Sequence, residues 1–436
     1  MVTDTEGAKA KAAAQAAFER VESELVELSH RIHGHPEIKW EEERACAWLG
    51  EALTGYGFTV ESGICDLPTA FQARVGSGAL QVVVCAEYDA LPGIGHACGH
   101  NIIAATAVGA GVALAEVADD LGLTVRVMGT PAEEGGGGKI LLLKGGAFDG
   151  AHLAMMTHPA PIDIAQWPII AAQQFRIRYT GKEAHASAFP ELGRNAADAL
   201  TIAGVAIGLL RQHIHAGDRV HGIVTHGGDA PNVIPAHTEA EYIIRGATVA
   251  DFEIMRERVM RCFEAGALAT GTELDVMPRH EPYAEMHHDP FMAACYRRNA
   301  EVLGRTFPAF DPRAAGSTDM GNVSLAIPSI HPYIGIDSLP AVNHQPEFAA
   351  HCATPAADRA LADGALAMAW TAVDLATDGA VRAKLVTRLP DQRHVGCATG
   401  FAPRRGDGDQ ASCDGRSDRA GDPLPVRGGI SRVGAA

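Results

Sequence analysis

The residues best able to do chemistry are a cysteine and a histidine two positions apart, Cys98 and His100, in the stretch QVVVCAEYDALPGIGHACGHN from Gln81 to Asn101. Val82 to Cys85 is a β-branched run suited to a buried strand, and Pro92, Gly93 and Gly95 then break the pattern, so the pair arrives on a loop beyond a strand end. Open α/β sheets bind ligands outside the carboxyl ends of their strands, where a thiolate beside an imidazole suits a metal ion. A small buried thiol next to a hydrogen-bonded histidine would read the same way, so the rest of the chain decides.

Two further strand ends carry donors. Thr124 to Gly129 is a strand by composition and runs into Thr130-Pro131-Ala132-Glu133-Glu134, followed by four glycines. Neighbouring side chains in an extended segment point apart, so one carboxylate can bind metal while the other faces substrate. An acidic helix N-terminus is the structural alternative. The glycines are not a phosphate loop, because Lys139 is followed by Ile140 rather than Ser or Thr. Leu153 to Met156 is a third strand, closed by Thr157-His158-Pro159. Donors at three separate strand ends turn the balance toward a metal centre. His30, His33 and His35 resemble a metal tract, but helical spacing separates their directions and Pro36 ends the element, so they read as surface and capping residues.

These residues imply an α/β catalytic domain interrupted by an α+β insert. Ala8 to His33 is one amphipathic helix expected to pack on the sheet, Glu41 to Tyr56 a second, and Ile102 to Ala118 a buried helix starting just after His100. From Ala172 the order becomes βαββαβ, a two-layer ferredoxin-like unit. The domain reading is 1–171 and 285–380 for the catalytic domain, 172–284 for an inserted lid and dimerisation domain, and 381–436 for a Gly, Arg and Asp-rich tail expected to be disordered. In the insert His185 falls on a loop, Asn232 on another and Arg245 on a strand.

Composition excludes several function classes. A 436-residue chain with 47% hydrophobic and 20% charged residues is globular, and its net charge of -17 disfavours nucleic acid. Nine scattered cysteines suit a reducing compartment. Charges interrupt the Ala-rich N-terminus, so no signal peptide is expected, and the most apolar segment carries Glu116, which argues against a membrane span. The expected location is cytoplasmic.

The motifs GHACGHN, TPAEEGGGG, MMTHP, KEAHAS, APNVIPAHTEAEYIIR, GSTDMGNVS and NHQPEF, in order from about Ala16 to Leu375, resemble the amidohydrolase branch of the two-metal aminoacylase and carboxypeptidase family. That branch holds p-aminobenzoyl-glutamate hydrolase, hydrolases of indole-acetyl amino acids and related dipeptidases. The resemblance implies that Cys98, His100, Glu134, His158 and His344 bind two divalent ions, zinc or manganese, with Cys98 bridging. It implies that Glu133 is the general base, that His185 reaches across a homodimer into the partner's site, and that Asn232, Arg245, Ser317 and Thr318 hold the substrate carboxylate or stabilise the oxyanion. Two departures stand out: Glu87-Tyr88-Asp89 replaces the His-x-Asp of many relatives, so His100 supplies the imidazole, and Asn101 replaces an Asp of several branch members.

The implied reaction is hydrolysis of an N-acyl amino acid or small dipeptide, through a water shared by the ions and deprotonated by Glu133. An oxyanion donor such as His185 would contribute roughly 3 kcal/mol. The rival reading is a catalytically inactive relative that binds an amino-acid conjugate; the presence of Glu133 and all five proposed ligands speaks against it.

Overall fold

The computed structural model describes residues 3–311 and 315–388, with side chains from residue 6. The tail beyond Arg388 lies outside the described residues.

Leu80–Ala86 and Leu123–Gly129 are mostly apolar, Gln81, Thr124 and Arg126 apart, and almost wholly buried, because helices and loops cover both faces of their sheet. The six-stranded sheet runs in the order Thr59–Ser62, Phe71–Val75, Leu123–Gly129, Leu80–Ala86, Leu153–Met155 and Ser329–Ile330. The first two strands are antiparallel to their neighbours and the last four are mutually parallel. Register is what matters for the site. Ala86 pairs with Gly129 and Val84 with Met155, so three strands stop at one edge and release Glu87, Thr130 and Met156 together. The next strand, His158–Ala160, pairs in parallel with Tyr333–Gly335. His158 therefore opens a second small sheet rather than tipping the third strand.

Helix His100–Ala115 is buried nearly all round and packs between the sheet and helix Pro355–Thr377. The expected single N-terminal helix is two, Thr3–Glu19 and Glu22–His33, and both pack on these helices rather than on the sheet. The bend has a tertiary cause: Phe18 and Leu25 both close on Gly109, where an added Cβ would lie 2.8 Å from one ring and 3.1 Å from the other side chain. The strand Phe71–Val75 and the helices Gly138–Lys144, Met320–Ala326 and Pro346–His351 have no counterpart in the sequence reading. A third correction concerns the C-terminus: Gly379–Thr387 is a helix that buries Leu385, so the start of the expected tail is structured.

The insert folds on its own core of Phe175, Ile177, Tyr179, Phe252, Val259 and Phe263. Its antiparallel sheet is ordered Glu273–Pro278, Ala171–Thr180, His237–Gly246 and Arg219–His226, backed by helices Ala196–Leu210 and Val249–Thr270. Arg219–His226 is an edge strand with Ile223 and Val224 exposed, and Val205 and Leu209 are exposed on the neighbouring helix. No helix among the described residues is long and apolar enough to cross a membrane.

Candidate metal centre and active site

The loop after Leu80–Ala86 ends in Gly99, whose φ of +80° starts helix His100–Ala115. A Cβ at Gly99 would sit 2.8 Å from Pro159, so only glycine lets the loop pass this close to His158. His100 Nδ1 lies 3.0 Å from Asp89 Oδ1, which fixes the ring and leaves Nε2 facing inward, 3.4 Å from Glu87 Oε2. His158 is oriented in the same way by its Nδ1, 2.8 Å from the Pro159 carbonyl.

The turn after Leu123–Gly129 is held from outside, since its glycines have no side chains to pack. Ala132 has φ of +57°, and its amide donates to Glu42 Oε1 at 2.8 Å. The Glu134 amide donates to Asp89 Oδ2 at 2.9 Å, Lys39 Nζ donates to the Glu134 carbonyl at 2.9 Å, and the Tyr283 hydroxyl donates to the Glu133 carbonyl at 2.5 Å. The two carboxylates find different partners: Glu134 groups with Cys98 and His344, and Glu133 with Glu87 and His100. His344 also sits in the left-handed region, φ +69°, pinned by its amide to the Ala97 carbonyl at 2.8 Å. Non-glycine residues held there are a mark of functional sites.

Donor atoms converge in three groups, two of which share one sulfur while the third joins Glu87, His100 and Glu133. Cys98, His100 and His158 form the buried triad; Cys98, Glu134 and His344 form the one nearer the mouth. Cys98 Sγ is 3.5 Å from both His158 Nε2 and His344 Nε2, and His344 Nε2 is 3.5 Å from Glu134 Oε1. Two donors bound tetrahedrally at zinc-like lengths stand about 3.4 to 3.6 Å apart, so these spacings fit an ion. His100 Nε2 and Glu134 Oε1 are buried without a hydrogen-bond partner, as atoms kept for a cation would be. Burial pushes His158 down to about 4, keeping it a neutral donor. Burial, then the charges of Glu87 and Glu134, hold the Glu133 carboxyl well above the usual carboxylate range.

A cavity of about 550 Å³ opens over this floor. Arg245, Ser317 and Thr318 line it, and Arg245 Nη1 donates to Ser317 Oγ at 2.8 Å. One wall is aromatic: Trp167 stacks on Tyr333 at 5.0 Å and on Phe310 at 5.7 Å, and Tyr333 stacks on His158 at 4.9 Å. His185 and Asn232 do not line the cavity. They sit exposed on the insert, in loops joined by the Ala186 amide donating to the Asn232 carbonyl at 3.0 Å. Asn101 turns away, donating to Ser29 Oγ and the Cys352 carbonyl.

Sequence reasoning misses a second layer. Lys139 is fully buried, with Nζ 2.5 Å from Glu87 Oε1 and 2.7 Å from Asp319 Oδ1, and these carboxylates outweigh burial to hold it above the usual lysine range. The signal is a lysine directly after four glycines, which the phosphate-loop comparison alone takes into account. Tyr283, Trp167 and Tyr333 leave no signal, since aromatic residues at strand ends and loops are ordinary core candidates.

Residues 171–270 match the peptidase dimerisation domain model. The chain is 34% identical over 280 residues to a subunit of the p-aminobenzoyl-glutamate hydrolase of Escherichia coli (strain K12), covering 59% of this chain and 58% of that protein. A Bacillus subtilis structure described as a dinuclear metal binding peptidase from the M20 family superposes with a TM-score of 0.62 at 21% identity, over 81% of this chain and 99% of that one. The Xaa-Arg dipeptidase of Mus musculus is 38% identical over 368 residues, 80% of this chain and 84% of that protein. On that identity and coverage, the chain belongs to the M20 family of metal-dependent dipeptidases and amidohydrolases.

Proposed function

We propose that the protein cleaves the amide bond of a small dipeptide or N-acyl amino acid, releasing the residue that carries a free carboxylate. The observation that carries this reading is the pair of donor triads sharing Cys98, with the Glu133 carboxylate close by and grouped with Glu87 and His100 instead of the sulfur. Cys98, His100 and His158 would hold one divalent ion and Cys98, Glu134 and His344 the other, zinc or manganese in each. Two such ions supply a lowered water pKa and a polarised carbonyl.

The chain's own residues do the rest. Glu133, kept basic-leaning by burial and neighbouring carboxylates, takes a proton from the attacking water and returns it to the departing nitrogen. Arg245 and Ser317 hold the substrate carboxylate, with Thr318 beside them. His185 and Asn232, exposed and joined on the insert, are suited to enter the site of a second subunit. The exposed apolar edge around Ile223 and Val224 supports a homodimer built through the insert. Seven cysteines unpaired among the described residues fit a cytoplasmic location.

The substrate to try first is a dipeptide ending in a basic residue. Support comes from the Xaa-Arg dipeptidase relative and from the stacked Trp167 and Phe310 rings lining the cavity, aromatic faces suited to guanidinium. The test is amide release from Xaa-Arg, Xaa-Lys and p-aminobenzoyl-glutamate by protein loaded with zinc or manganese, before and after chelation. Turnover of none of them, or turnover indifferent to chelator, would overturn the proposal.

A further inference from the structure

We infer that Tyr283 is a positioning residue that couples capture of the substrate carboxylate at Arg245 to placement of Glu133. This rests on the assignment of Glu133 as the base. Its hydroxyl is clamped on the catalytic turn: it donates to the Glu133 carbonyl at 2.5 Å and accepts from the Gly135 amide at 3.1 Å. Its main chain belongs to the insert's exit. The Tyr283 amide donates to the Ala172 carbonyl at 2.9 Å, and the Ala172 amide to the Tyr283 carbonyl at 3.1 Å.

Ala172 stands directly opposite Arg245 in the insert's sheet. Arg245, Ala172 and Tyr283 thus lie abreast on three adjacent segments, and the hydroxyl of the third grips the residue that carries the base. On the far side, Asn322 pins the same segment to the catalytic layer, its Nδ2 donating to the Pro282 carbonyl at 3.1 Å and its Oδ1 accepting from the Ala284 amide at 3.0 Å. Tyr283 is the fulcrum between the two domains, and a hinge of this kind acts on turnover without touching substrate.

The turn depends on such clamps because Gly135, Gly136, Gly137 and Gly138 cannot hold it by packing. Glu42, Asp89 and Lys39 grip it from the catalytic layer; among the described residues, Tyr283 is the grip that comes from the insert's connection. The tyrosine is 5% exposed, and its ring lies 3.3 Å from the point a Cβ on Gly137 would occupy, so the phenol is tightly fitted.

The experiment uses full-length, metal-loaded Tyr283→Phe, assayed on a dipeptide with a free carboxylate and on the same dipeptide as its C-terminal amide. We expect kcat on the free acid to fall about tenfold or more, KM to stay within about threefold, and kcat on the amide to change by less than about threefold. Metal content by elemental analysis and Tm should match the parent. In an Arg245→Met background the same substitution should have little further effect on the free acid, since coupled residues are non-additive. An unchanged kcat, an equal loss on both substrates, full additivity with Arg245→Met, or a loss tracking metal content or Tm would each overturn the coupling. Parent protein active on the free acid with Glu133→Gln equally active would instead overturn the base assignment on which it rests.

Discussion

Lys139 Nζ lies 2.5 Å from Glu87 Oε1, and neither side chain reaches solvent. Asp319 closes the group from the other side, accepting from Nζ at 2.7 Å and from the Lys139 amide at 2.8 Å. A buried ion pair stabilises little in itself, but removing one partner strands the rest. Lys139→Met should therefore cost about 3 to 5 kcal/mol, leaving two buried carboxylates without their cation. Denaturant unfolding of the variant checks this, and a midpoint unchanged from the parent would show that the carboxylates are satisfied in another way.

Glu133 and Glu134 are neighbours with different partners, so their substitutions should separate. If Glu133 is the base and not a ligand, Glu133→Gln should keep both ions and lower kcat by about a hundredfold or more, the scale of a lost general base. His344→Ala should lose at least one ion, because it removes one of three donors from the outer triad. Elemental analysis with an amide-release assay distinguishes them; loss of metal in the Glu133 variant would contradict the division of roles.

Arg245 is the cation beside Ser317 in the cavity. Arg245→Met should reduce kcat/KM for a free-carboxylate substrate by roughly ten- to a hundredfold, the worth of a charge-assisted contact, and leave the corresponding amide nearly unaffected. Equal losses on the two substrates would move the carboxylate site elsewhere.

Burial, with a smaller contribution from the charge of Asp89, pushes the Glu42 carboxyl up to about 7, while its oxygens accept from the Ala132 amide and Thr69 Oγ1. A carboxyl raised in the folded state costs nothing below the unfolded value near 4.5, where both states are protonated, and its full cost above 7, where both are ionised. Stability should fall across that window by about 3 kcal/mol at most as pH rises. Glu42→Gln keeps the acceptor for Ala132 and should flatten this part of the profile. Chemical denaturation at pH 5 and pH 8 tests it, and parallel profiles would count against the assignment.

The exposed edge strand predicts assembly. Ile223 is 66% exposed and Val224 59% exposed on a strand whose outer side has no neighbour within the described residues. Ile223→Asp should shift a dimer toward monomer in sedimentation and lower activity with it, if His185 serves the partner's site. A parent that sediments as a monomer at full activity would rule out the trans arrangement.

Much of this protein was determined by local pattern. Short β-branched runs fit buried strands, breaks by proline and glycine mark where loops leave them, and the switch to βαββαβ order marks the insert; Glu273–Pro278 and Pro355–Thr377 fall where periodicity put them. Candidate donors at those breaks were legible too, since Cys98 and Glu134 follow strands, whereas His158 opens one. What only the tertiary structure decided is how far the strands run relative to one another. Pairing of Ala86 with Gly129 and Val84 with Met155 brings separate loops to one edge, and no local signal encodes such a register. The same holds for the bend over Gly109, the buried Lys139 cluster and the rung from Arg245 through Ala172 to Tyr283. Each is a contact between residues far apart in the chain, created when packing outweighs local preference.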